Sequence, residues 1–131
     1  MEKVSKDELM KEILKMPNIM LALGEQGVYV SECFLPPNAP EPRLSENWFT
    51  LETNGWHIHL YYPSIKKAQF VERDSGSGRK SHSIQFLSAD EKAILRVYFR
   101  ELYKDGRADP IKIERFNHLR RKYGDKIVFT D

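Results

Sequence analysis

The run "NWFTLETNGWHIHLYYP", residues 47–63, constrains this chain more than any other stretch. Two segments of alternating apolar residues flank Asn54-Gly55. Asn-Gly supplies the positive φ values that a two-residue type I′ hairpin turn requires. Such a turn sets the register: Thr53 opposite Trp56, Glu52 opposite His57, Leu51 opposite Ile58 and Thr50 opposite His59. Strand side chains alternate between faces. Phe49, Leu51, Trp56, Ile58 and Leu60 then form a core face. Trp48, Thr50, Glu52, His57, His59 and Tyr61 form a second face, polar but aromatic, with the character of a wet cleft wall. A polar residue on a half-exposed strand is often only solvated, and pattern alone leaves that reading open for both histidines.

The flanking sequence extends this into an antiparallel sheet between two helices. Ser5 and Glu8 make a capping box, Leu9, Ile13 and Met16 share a helical face, and Pro17 stops the helix. "NIMLALGEQGVYVSECF" reads as two strands joined by a turn from Gly24 to Gly27. "LPPNAPEPRLSEN" has four prolines in 13 residues and reads as a surface loop with scope for motion. "KKAQFVERD", "SHSIQFL" and "AILRVYF" are further strands, with "DSGSGRKSH" a flexible loop before the second. Asp109-Pro110 opens a second helix with the stripe Ile113, Phe116, Leu119 and Tyr123, which Gly124 ends. The fold class is α+β, one domain over residues 1–131. Its expected sheet core includes Phe49, Leu51, Ile58, Leu60, Phe70, Phe86, Leu95 and Val97.

Charge and composition exclude several function classes. The net charge of +2 gives no call for a nucleic-acid partner. No apolar run approaches a membrane span and the N-terminus is too charged for a signal peptide, so a cytoplasmic protein without membrane insertion is expected. Cys33 is the one cysteine, which rules out an internal disulfide and a cysteine zinc cluster. No Gly-rich phosphate loop, His-Glu-x-x-His motif or nucleophile elbow is present, and no catalytic residue is assigned. His82 alternates with Ile84 and Phe86 and reads as a satisfied buried histidine. His118 reads as a surface group. In "ILRVYFR", Arg96, Tyr98 and Arg100 share the face opposite Leu95 and Val97. Near the two histidines they would add cations and a phenol, although a strand-edge charge in water explains Arg96 as well.

"GWHIHLYYPSIKKAQFVER", "SHSIQFLSADEKAILRVYF" and "ADPIKIERFNHLRRKYG", in that order and spacing, resemble the haem-utilisation family of the HemS/ChuX/HutX type over roughly residues 54–124. The resemblance implies a large antiparallel sheet flanked by N- and C-terminal helices, here as a single-copy member that forms a homodimer. It implies haem as cofactor and partner, with binding or transfer rather than catalysis, although some relatives degrade haem. His57 falls on the family's "His-Ile" strand and becomes the iron ligand. "LALGEQGVYV" lacks the second histidine proposed in single-copy relatives, and His59 is the substitute on the same face. Haem needs an apolar slot, a neutral imidazole and cations for its propionates. Trp48, Tyr61 and Tyr98 would line the slot, and Arg96 or Arg100, with Lys66 or Lys67, would meet the propionates. Two other functions stand beside a haem carrier: a haem-degrading enzyme with an external reductant, and a dimeric interaction module that has lost the ligand.

Overall fold

Ser5 starts the first helix as the capping box requires: its Oγ accepts from the Glu8 backbone N at 3.2 Å. The helix α1 covers Lys6–Leu14 and buries Leu9, Met10 and Ile13. The structure is a computed structural model that describes residues 4–25, 27–76 and 78–129. Gln26 of the predicted turn and Ser77 of the predicted flexible loop lie outside them.

The strands follow in order: β1 Ile19–Leu23, β2 Ser31–Phe34, β3 Arg43–Leu44, β4 Trp48–Glu52, β5 His57–Tyr61, β6 Lys67–Asp74, β7 Lys80–Leu87, β8 Ala93–Phe99, β9 Tyr103–Lys104 and β10 Arg107–Ala108. The second helix, α2 Pro110–Tyr123, precedes the last strand, β11 Lys126–Val128. Asp109 caps α2 through bonds to the backbone N of Ile111 and Lys112, and Gly124 ends it at φ +95°. The architecture is α+β, a large antiparallel sheet with two helices, as the sequence indicates.

Pairing divides the strands in a way that local periodicity does not reveal. One six-stranded antiparallel sheet has the order β11-β6-β7-β8-β1-β2. The hairpin β4–β5 belongs to a separate three-stranded sheet, β3-β4-β5. Its register is the expected one, with Glu52 opposite His57, Leu51 opposite Ile58 and Thr50 opposite His59. Phe49, Leu51 and Ile58 join one buried cluster with Phe70, Phe86, Leu95 and Val97, and with Phe116 and Leu119 of α2. Leu60 is only partly buried.

Two turns differ from expectation. Neither Asn54 nor Gly55 has positive φ, so the turn is not type I′. Thr53 explains this: its Oγ1 accepts from the Gly55 and Trp56 backbone N, each at 3.2 Å, and donates to the Trp56 carbonyl at 3.1 Å. The side chain takes over a closure that a type I′ backbone would make. That geometry occurs instead between β9 and β10, where Asp105 and Gly106 have φ of 52° and 77°. The connection from β1 to β2 is also longer than a tight turn. Val28, Tyr29 and Val30 lie outside any strand and are exposed.

The proline-rich segment is docked rather than loosely draped. The Leu35 backbone N donates to the Ile19 carbonyl at 3.0 Å, Leu35 packs on the core and Pro42 is buried.

Candidate functional site

The outer face of the β3-β4-β5 sheet presents three cross-strand layers. Alternation places Phe49, Leu51 and Ile58 inward, so their neighbours must face out. Nearest the turn, Glu52 sits opposite His57, and Arg43 of β3 donates to Glu52 Oε1 at 2.8 Å. Next, Thr50 Oγ1 and His59 Nδ1 are 3.2 Å apart. Furthest from the turn, Trp48 and Tyr61 meet edge to face with ring centroids 5.7 Å apart. The imidazoles of His57 and His59 are neighbours at 5.2 Å between centroids, their planes inclined by 60°. Both histidines are exposed, as are Trp48 and Tyr61.

A cleft of about 690 Å3 borders this face, lined by Thr50, Glu52 and Arg43 on the sheet side. Phe34, Trp56 and the proline-rich segment form the opposite wall. Trp56 Nε1 donates to the Phe34 carbonyl at 3.2 Å, which ties the turn to the end of β2. The volume lies within the range of small-molecule pockets.

The remaining predicted residues are dispersed. Arg96 and Tyr98 alternate with the buried Leu95, Val97 and Phe99. They therefore project from the far side of the six-stranded sheet, away from the core on which the hairpin packs. There they line a different cavity with Met20, Glu32 and residues 28–30. The expectation that they join the histidines is not met, because β8 and β5 belong to different sheets. Arg100 does not line the cleft: its guanidinium lies 4.3 Å from the ring centroid of Phe34, which does, and it lines a neighbouring cavity with Leu14, Leu35 and Leu51. Lys67 pairs with Glu91 at 3.3 Å, and Lys66 is exposed.

Sequence reasoning missed Arg43 and Phe34. Arg43 sits in a two-residue strand within a proline-rich run, too short for any periodic signal. Its one legible cue was charge complementarity to Glu52. His82 is buried as expected, with Nδ1 3.2 Å from the Lys80 carbonyl and its ring against Phe116. His118 is exposed.

A sequence model of one protein family matches residues 7–129. No curated protein matches the chain in sequence. Among solved structures, the fold is similar to the heme-binding protein ChuX, with a TM-score of 0.69 and 17% identity, covering 89% of this chain and 71% of that one. A protein of Agrobacterium tumefaciens gives a TM-score of 0.66 at 21% identity, covering 88% of this chain and 63% of its own. ChuS, a heme oxygenase of Escherichia coli, gives a TM-score of 0.66 at 16% identity, covering 89% of this chain and 35% of ChuS. The chain thus spans about a third to under three quarters of these proteins. At such identities the likeness is one of fold.

Proposed function

This chain belongs to the haem-utilisation family of the HemS/ChuX type, and on that premise we propose that it binds haem and carries it without breaking it down. The observation that carries the reading is the outer face of the β4–β5 hairpin. It sets the exposed imidazoles and an aromatic pair on one face, beside a cleft of about 690 Å3 that Thr50, Glu52 and Arg43 line and those rings do not. These residues fit the group. Trp48 and Tyr61 offer apolar ring surface to a flat macrocycle, an imidazole offers nitrogen to iron, and Arg43 and Arg100 offer positive charge to propionates.

One of the two histidines, not both, would hold the iron. His57 and His59 stand side by side on one strand, ring against ring. We assign one of them to iron, His57 first and His59 as the substitute. Bound haem would supply the iron centre, and the chain's part is to present the imidazole, cover the ring and neutralise the propionates.

We further propose a single-copy member, one domain over residues 1–131, working in the cytoplasm as a homodimer. The exposed edge of β2 and the apolar Val28, Tyr29, Val30 and Phe34 beside it support the dimer. Light scattering tests it: a mass near 15.4 kDa that does not change on concentration counts against it. The heme oxygenase among the fold neighbours makes haem breakdown the second reading, which product analysis with a reductant separates. The main test is an absorbance titration with haemin on wild type, His57→Ala and His59→Ala. Saturable binding, with the iron-sensitive band shifted by one substitution, supports the reading. Spectra and affinities unchanged in both variants overturn the ligand assignment, and no saturable binding by the wild type overturns haem itself.

A further inference from the structure

We propose that His57 and His59 together chelate one borderline divalent transition-metal ion, copper(II) before nickel(II), when no haem is present. Residues two apart on a strand project from the same face. Here the two rings are 5.2 Å apart and inclined by 60°, so one ion on the outer side of the sheet reaches a nitrogen of each in adjacent coordination positions. This side-by-side arrangement is the one that a small ion needs.

The surroundings prepare the nitrogens for this role. Thr50 Oγ1 lies 3.2 Å from His59 Nδ1. When Nδ1–H donates to that hydroxyl, the tautomer is fixed and the Nε2 lone pair points outward for a metal. Glu52 stands opposite His57, but its Oε1 already accepts from Arg43 at 2.8 Å. Among the described residues no group of three or more His, Cys, Asp or Glu gathers around one point. The protein therefore supplies two ligands and water the rest, which gives an exchangeable ion rather than a closed structural site. Two imidazoles with open positions suit copper and nickel, and first-row affinities rise to copper.

The inference rests on the geometry of the pair and not on the haem reading. The full chain, free of haem, is titrated with copper(II) chloride and with nickel(II) chloride by calorimetry, and the copper complex is examined by electron paramagnetic resonance. One ion per chain and splitting from two nitrogens are expected. His57→Ala and His59→Ala should each weaken binding roughly tenfold or more, at least the cost of losing an outer-shell partner, and Thr50→Val by about tenfold. His118→Ala, on the exposed side of α2, should leave binding unchanged, and circular dichroism checks that each variant folds. Wild-type affinity in either single histidine variant, or splitting from one nitrogen only, overturns the proposal. A wild type that takes copper through both histidines but no haemin sinks the haem reading and supports this one.

Discussion

Thr53 holds Trp56 through side chain and backbone at once: its backbone N donates to the Trp56 carbonyl at 2.8 Å, and its hydroxyl donates to the same oxygen and accepts from the Trp56 N. One hydroxyl thus organises the turn that aims the two histidines. Thr53→Val keeps the shape and removes these bonds. It should cost about 1–3 kcal/mol in chemical denaturation, with Thr53→Ser near wild type. A Val variant of unchanged stability would mean that the backbone alone closes the turn.

Two glycines should respond in opposite ways to a methyl group. Gly55 has no left-handed φ, and an added Cβ meets nothing within 4 Å. Gly55→Ala should be neutral or stabilising by up to about 1 kcal/mol, because it narrows the unfolded ensemble. Gly24 has φ +135°, and its Cβ would stand 2.4 Å from the Tyr29 carbonyl oxygen. Gly24→Ala should destabilise by more than about 1 kcal/mol. Thermal unfolding of the pair checks both signs.

The two helices are clasped by Glu12, which accepts from the Tyr123 hydroxyl and, at 3.0 Å, from Lys122 Nζ. Burial alone pushes the Glu12 carboxyl up, but the Tyr123 and Lys122 bonds more than offset it, and the net shift is downward. The Tyr123 phenol is pushed well up, by burial first and then by Glu12. The Glu12 contribution is present above the ordinary carboxylate range and lost as pH falls through the lowered folded value. The Tyr123 contribution is full below the ordinary phenol value and lost as pH rises through the raised one. Tyr123→Phe should cost about 1 kcal/mol, flat from about pH 5 to about pH 9 and shrinking on either side. A difference independent of pH across the acid and alkaline limbs would contradict the clasp.

Arg43 and Glu52 form an exposed pair, so its loss should change stability by less than about 1 kcal/mol. The same arginine faces the cleft. Under the haem reading, Arg43→Ala should weaken haemin binding by roughly tenfold, about 1.4 kcal/mol. It should also flatten the salt dependence of binding. Unaltered affinity would move the propionates elsewhere.

The sequence carried the face of each hairpin residue because strand alternation and turn length are local properties. The start of α2 was legible for the same reason, through Asp109, Pro110 and Gly124. The turn type at Asn54-Gly55 was misread because Thr53, one position earlier, competes for the same backbone groups. The Asp105-Gly106 hairpin was overlooked because its strands have two residues each and no periodicity. The separation of Arg96 and Tyr98 from the histidines depends on which distant strands pair, and no window of neighbouring residues contains that. Arg43 entered the site through the fold of a proline-rich segment, where composition gives only a loop.

The six-stranded sheet sets Ile19 opposite Phe99 and Ile127 opposite Ala68. β1 therefore waits for β8, made well after it, and β11 returns to β6, made well before it. Between those events β1 has an apolar face and no neighbour beyond β2. Local helices and the β4–β5 hairpin can form early, but the sheet closes only once β11 has been made, a topology that folds slowly and exposes unpaired edges in the interval. Newly made chains should be more vulnerable to aggregation than refolded ones are at the same concentration, a property of the order in which the strands are read out rather than of the finished molecule.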